Sequence, residues 1–209
     1  PPPDELALAS RRDAIQHPFL SKYYEWGKSA RHFRFGTPMG KDRLAGFGPG
    51  ITKTDIAKTE IDLKNTNNVV RIFHKGELLF GNRYSEAIKE DMKRIGYDLE
   101  FISLQEMGQV FTGDLEGAKA IQVKEKKLNV PTVQHHISTG MFRALSLFIQ
   151  LNYALLDHMP SCIIIDDIGE GLDYGRSTDL IRLLIEKVKG TNIQIVISSN
   201  DRFVMNSVP

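Results

Sequence analysis

The stretch CIIIDDIGEGLD, residues 162–173, decides how the rest of the chain is read. Three isoleucines run into two adjacent aspartates and then into a turn punctuated by Gly169 and Gly171. A short, continuous apolar run is typical of a strand covered on both faces, as in a parallel sheet. Asp166 and Asp167 can simply end that strand in solvent. Alternatively, one can hold Mg²⁺ through water while its neighbour orients or deprotonates a nucleophilic water.

The flanking segments frame the choice. RSTDLIRLLIEKVKG (176–190) is amphipathic through Leu180, Ile181, Leu184, Ile185 and Val188, and it stops at Gly190. IQIVIS (193–198) reads as a second fully buried strand. Strand, helix and strand at these lengths form a parallel unit with a crossover helix. Ligands of such sheets bind beyond the carboxyl ends of the strands, where DDIGEGLD and SSNDR both fall. Upstream, TGMFRALSLFIQLNYALLDHM (139–159) is apolar nearly all round, so it reads as a helix packed on several sides. Ser138 and Gly140 stand at its start, where free backbone N–H groups and the positive dipole end favour a phosphate. A serine there also serves as a plain helix cap.

Taken in order, these elements resemble the second half of an ATP-binding-cassette (ABC) ATPase head, nearest to the RecF/SMC/OLD-like bacterial AAA group. The resemblance covers roughly residues 65–209 and is most specific from 137 onward. It implies a P-loop NTPase-like α/β fold, a mostly parallel sheet flanked by helices, with ATP and Mg²⁺ as cofactors. STGMFR matches the signature motif, so Ser138, Thr139, Gly140 and Arg143 would bind nucleotide held by a second protomer. Asp166 matches the Walker B aspartate that holds Mg²⁺ through water, and Asp167 stands where the family has its catalytic glutamate. Asp173 matches the D-loop aspartate, and Asn200 stands where the family has its switch histidine. An aspartate at 167 reaches one methylene less far than glutamate, and Asn200 carries no charge, so the resemblance implies slow hydrolysis.

The same resemblance implies a dimerising ATPase head, regulatory or sensory, in a bacterial anti-phage defence system with a nuclease or other effector as partner. An ATP-dependent scaffold with negligible hydrolysis and a DNA-repair ATPase that binds nucleic acid are the alternatives. A phosphate loop requires Gly-x-x-x-x-Gly-Lys-Ser/Thr. GTPMGKD (36–42) is one residue short and has Asp where the hydroxyl belongs, and GFGPGITKT (46–54) lacks Gly-Lys. Both read as loops, and the phosphate loop is expected in an amino-terminal segment preceding this chain.

The division expected is a loop-rich segment over 1–64, a helical and edge-strand part over 65–136, and the signature helix, Walker B strand, D-loop and switch strand over 137–209. Within the second part, NTNNVVRIFHKG (65–76) starts a helix capped by Asn or Thr. SEAIKEDMKRIG (85–96) is a helix with Ser85 as cap and Gly96 as terminator. DLEFISL (98–104) alternates like a strand, and KAIQVKEKKLNVPTVQ (119–134) reads as two edge strands around Pro131.

Composition sets the outer limits. With 41% hydrophobic and 25% charged residues, the 209-residue chain is globular and can bury a sizeable core. A net charge of +1 gives no field that implies nucleic acid or membrane, and the basic runs 22–34 and 124–127 read as solvated faces. The longest apolar segment, residues 144–156, is too short to span a bilayer, so no membrane partner is expected. A lone cysteine, Cys162, and an amino terminus without an apolar core imply a cytoplasmic protein. His135 and His136 are adjacent and poorly placed to share a metal, and Trp26 with Tyr23 and Tyr24 suits packing or a partner contact better than base stacking.

Overall fold

The computed structural model describes residues 18–47, 51–108, 117–159 and 161–206. The amino-terminal residues read above for a leader lie outside that set. Seven α-helices and six strands occur among the described residues. They are α1 (Ser21–Ser29), β1 (Ala30–Arg34), α2 (Lys53–Lys58), α3 (Val69–Phe80), α4 (Asn82–Arg94), β2 (Leu99–Glu106) and β3 (Lys119–Glu125). There follow β4 (Thr132–Val133), α5 (Thr139–Leu156), β5 (Ser161–Asp166), α6 (Tyr174–Val188), β6 (Ile193–Ile197) and α7 (Arg202–Asn206).

The strands form two sheets. β1, β5 and β6 are parallel in the order β1-β5-β6, and β2, β3 and β4 are antiparallel in sequence order. The chain is therefore α/β, with a parallel sheet flanked by helices. The apolar run of β5 occupies the central position of the parallel sheet, as a strand with few polar side chains should. Within 1–64, expected to be loop-rich, the described part contains α1 and the whole of β1. ARHFR shows no apolar alternation in sequence because its one buried face carries an arginine as well as a phenylalanine: Arg31 and Phe33 are buried on the same side, and His32 and Arg34 are exposed.

α5 is the hub. From Gly140 to Ala154 every residue is buried, including Ser146, Gln150 and Asn152, each of which donates a hydrogen bond, while Gln150 Oε1 is left without a partner. Ser146 donates to the Met39 carbonyl, Gln150 to Thr66, and Asn152 to Asp91. α3 and α4 lie against α5, where the fully buried Tyr84 donates its hydroxyl to the Ile149 carbonyl at 2.7 Å. Gln134 is a second organiser: its carbonyl oxygen accepts from Ile121 N–H, and its amide donates to the Lys41 and Arg43 carbonyls. The loop after β1 is thereby tied to the antiparallel sheet.

Three local expectations need correction. Ser85 does not cap a helix; Gly81, with φ +57°, breaks the chain and α4 begins at Asn82, so Ser85 lies in the first turn. Asn68 precedes α3 without capping it, because its side-chain amide donates to the Asp62 carbonyl instead. β6 is not fully buried: it ends the described parallel sheet, and Val196 is 47% exposed. Gly96 ends α4 as expected, with φ +87°.

The faces of the parallel sheet differ. The register sets Phe33 beside Ile165 and Ile165 beside Ile197, on the side that joins the main core. The opposite side carries His32, Ile164 and Val196 in one row. α1 lies against β5, and the Trp26 indole donates to Gln194, two residues before Val196. Trp26 thus bonds to the edge of the sheet while remaining 51% exposed. Further along this face, His32 and Val196 are open to solvent. No helix among the described residues is long and apolar enough to cross a membrane.

Candidate functional site

The carboxyl ends of the parallel strands bring the acidic pair and the SSND segment together. Ser198 N–H donates to the Ile165 carbonyl and Ile168 N–H to the Ser198 carbonyl, so the β5–β6 ladder continues past both strands. The Ser198 hydroxyl donates to Asp166 Oδ1 at 2.5 Å and accepts from the Asp167 N–H at 3.1 Å. Asn200 Nδ2 donates to Asp167 Oδ1, also at 2.5 Å. On the other side of β5, Phe35 N–H donates to the Asp166 carbonyl, and Arg34 is the register partner of Asp166. Asp166 and Asp167 are therefore held at their backbone and their carboxylates by neighbouring strands while their side chains stay accessible.

Asp167 has φ +54°, in the left-handed region. Aspartate is enriched there among non-glycine residues because its short side chain bonds locally. This gives a reason for an aspartate at the position: the backbone turns sharply directly after β5, and a longer acid is less suited to that conformation. The following turn needs Gly169 and Gly171 at φ +90° and +85°, and Leu172 N–H closes it on the Gly169 carbonyl.

That turn is packed against the start of α5. A Cβ at Gly140 would run into the Gly171 carbonyl oxygen, so glycine is required for the two segments to touch. Ser138 caps α5, its hydroxyl accepting from Met141 N–H at 3.4 Å. Asp173 caps α6: its carboxylate accepts from Arg176 N–H at 2.9 Å and from Arg176 Nη1 at 2.6 Å. These bonds, the backbone one foremost, hold the Asp173 carboxyl below its ordinary range. Ser138, Thr139, Asp166 and Asn200 are exposed, and Asp167 is half-buried.

Arg143, which the resemblance sets against a nucleotide, turns its guanidinium into its own chain. Nε donates to the Thr37 carbonyl, Nη2 to Gly36 and Nη1 to Glu170, at 2.9, 2.7 and 2.8 Å. It clamps the loop after β1 to the loop after β5. The Glu170 carboxylate lies 3.8 Å from Nη1. Sequence reading missed Glu170 and Ser198 as parts of the site. Ser198 could have been found from its place at the end of a strand parallel to β5, but the Glu170 contact depends on how the glycine turn folds back.

Beside the acids lies a cleft of about 750 Å³ whose lining includes Asp167, Glu170, Leu172, Ser199 and Asn200. Mg²⁺ keeps several waters and is commonly held by one or two carboxylates together with substrate phosphates. An accessible Asp166, oriented through one oxygen by Ser198, fits that demand. No group of three or more His, Cys, Asp or Glu side chains that could hold a metal by itself occurs among the described residues. Cys162 is buried, and burial pushes its thiol up, away from reactivity.

Neither a family model nor a curated protein matches the chain. Solved structures do. The SMC head bound to the C-terminal winged-helix domain of ScpA matches with a TM-score of 0.52 at 14% identity, over 85% of this chain and 49% of that one. The chain has the fold of an SMC-type ATPase head. It spans about half the length of that neighbour. SMC head domains from Pyrococcus furiosus, with an extended coiled coil and bound to the C-terminal domain of ScpA, and from Pyrococcus yayanosii match over 70% of this chain. They cover it at 18% and 14% identity, with TM-scores of 0.45 and 0.46, over 34% and 27% of their own length. The likeness to an SMC head is one of fold, and the order of motifs in the sequence implied a head of that kind.

Proposed function

We propose that this chain is the carboxy-proximal half of an ATP-binding ABC-type head that pairs with a second head across nucleotide. The observation that carries the reading is the convergence of Asp166, Asp167, Ser198 and Asn200 at the carboxyl edge of parallel strands. Asp166 would hold Mg²⁺ through water, and Asp167 would orient and accept a proton from the attacking water. Mg²⁺, when bound, neutralises charge on the phosphates during transfer. Ser138, Thr139 and Gly140 would offer the amino-terminal end of α5 to nucleotide on the second protomer, where backbone N–H groups favour phosphate. Asp173 would reach the same protomer. The phosphate loop would come from a segment outside this chain, and the open face of the β1-β5-β6 sheet supports that assignment, because parallel sheets are covered on both sides.

Turnover would be slow. Asn200 holds the Asp167 carboxylate without supplying a charge, which favours a head that uses ATP chiefly to assemble. The resemblance to the RecF/SMC/OLD-like group suggests a regulatory or sensor subunit in anti-phage defence, coupled to an effector such as a nuclease. A DNA-repair ATPase is the alternative role, and it would show DNA-stimulated turnover with steep salt dependence. The deciding experiment measures ATP binding, ATP-dependent association and phosphate release on the full-length protein. A protein that neither binds ATP nor associates in its presence would sink the reading.

A further inference from the structure

A second cleft, of about 720 Å³, lies beside β1 and shares no lining residue with the cleft at the acids, among the described residues. Arg34, Arg43 and Lys64 line it together with His32, against one acid, Asp42. All five are exposed. None of the three cations has an ion-pair partner among the described residues, and Lys64 Nζ donates only to the Gly27 carbonyl, at 3.3 Å. In a chain of net charge +1 this is a local concentration of positive charge. A cleft lined by one sign of charge focuses its field on ions of the other.

Both walls are fixed from the core. One is the loop after β1, where the Ser146 hydroxyl holds the Met39 carbonyl and the Gln134 amide holds those of Lys41 and Arg43. The other is the segment before α3, where Gln150 donates to the Thr66 carbonyl and Asn67 N–H closes on Asn65 Oδ1. They meet at Gly40, with φ +88°, where a Cβ would lie 2.8 Å from the Asn67 carbonyl oxygen. The backbone is therefore already in place, and a ligand has only side chains to order.

We propose that this cleft is a second anion-binding site, for a small ligand that carries two or more phosphate groups. Two arginines can each fork onto phosphate oxygens, while Lys64 adds a point charge. The volume is that of a small-molecule site, and the polar side chains of Thr37, Asn65 and Asn67 suit a charged occupant. With a net charge of +1, the chain lacks the broad basic field that a nucleic-acid strand follows. The site goes beyond the ATP-head reading and does not depend on it.

The test is calorimetric titration of the full-length protein with inorganic tripolyphosphate, in EDTA and at fixed salt. Binding should be saturable, and Arg43→Gln and Lys64→Gln should each weaken it about tenfold, as loss of a charge-assisted hydrogen bond does. Lys189→Gln removes the same charge from an exposed position just after α6 and should leave the affinity within about twofold. All three side chains are exposed, so thermal melts should be unchanged, which separates loss of the site from loss of the fold. Absence of saturable binding overturns the inference, and so does equal weakening in all three variants. Tripolyphosphate held at a phosphate loop would ignore Arg43→Gln and Lys64→Gln, so unchanged affinity in both overturns it as well. Displacement by a thymidine oligonucleotide at about tenfold lower phosphate concentration would make the occupant a nucleic-acid strand, against the proposal. ATP-dependent association is measured separately with Mg²⁺, so this inference and the paired-head reading can each fail alone.

Discussion

Asn200 donates its side-chain amide to Asp167 across the gap between the ends of β5 and β6, at 2.5 Å. The bond joins the two residues that the proposed function places beside the attacking water. An amide can orient a carboxylate but cannot exchange charge with it. If the proposed function holds, the pair suits slow turnover better than fast.

Asp167→Asn tests that pair at constant shape. Asparagine tolerates the left-handed backbone at φ +54° and keeps a similar volume, so the fold should be retained. Losing a positioned proton acceptor costs on the order of 10²-fold or more in turnover. Phosphate release by the full-length protein should fall by about that factor while ATP affinity, measured by calorimetry, is unchanged. Asn200→Ala should cause a smaller loss, about tenfold, because the acid remains and only its orientation is released.

Arg143→Leu probes the clamp between the two strand-end loops. It leaves the carbonyls of Gly36, Thr37 and Glu170 without the guanidinium that now satisfies them. A buried acceptor without a partner costs about 1–3 kcal/mol, and relaxation with entering water keeps the sum below three such penalties. Urea unfolding should show a loss of about 3 kcal/mol, with Arg143→Lys losing about half as much. An unchanged midpoint for Arg143→Leu would mean that the loops hold themselves.

Much of this arrangement was legible in sequence, and the rest was not for definite reasons. The apolar run 162–165 and the amphipathic period of 176–190 are local signals, and they led to β5, α6 and the parallel unit. β1 was missed because its signal is non-local: ARHFR is a strand through its pairing with residues 162–166. The open side of β6 was missed because IQIVIS looks the same whether one face or both are covered. Arg143 was set against a nucleotide by motif position, whereas its direction depends on carbonyls 106, 107 and 27 residues away in sequence. Ser198 falls in the motif read for Asn200, yet its bond to Asp166 follows only from the β5–β6 register.

Asp91 gives the fold a pH dependence of definite sign. It is buried between α4, α5 and α6, where Lys187 donates to both carboxylate oxygens and Asn152 donates as well. Burial nevertheless pushes its carboxyl above the ordinary value of 3.8, with Lys187 and Asn152 acting against that rise. The folded state thus binds this proton more tightly than the unfolded chain. Its contribution is fully present below pH 3.8 and is lost as pH rises through the folded value, by about 1.4 kcal/mol per unit of upward displacement. Asp91→Asn has no such proton. Urea midpoints measured from pH 3.5 to 7 should therefore show the wild-type protein losing stability relative to Asp91→Asn as pH rises; a wild-type protein that gains stability relative to Asp91→Asn over that range would contradict the assignment.

Val196 tests whether another segment completes the sheet. It stands 47% exposed in the row with His32 and Ile164, on the side of the parallel sheet that α1 covers only in part. Leu128, beyond the end of β3, is comparably exposed at 43%. Judged from this chain alone, a lysine at either place changes a surface residue and should shift stability by less than about 0.5 kcal/mol. If the phosphate-loop segment lies on the open face in the full-length protein, the two sites part company. Val196→Lys would then bury an ammonium without a partner and cost about 2–3 kcal/mol, while Leu128→Lys would stay neutral. Thermal melts of both full-length variants distinguish the cases. Equal and small effects would leave the face exposed and place the phosphate loop elsewhere.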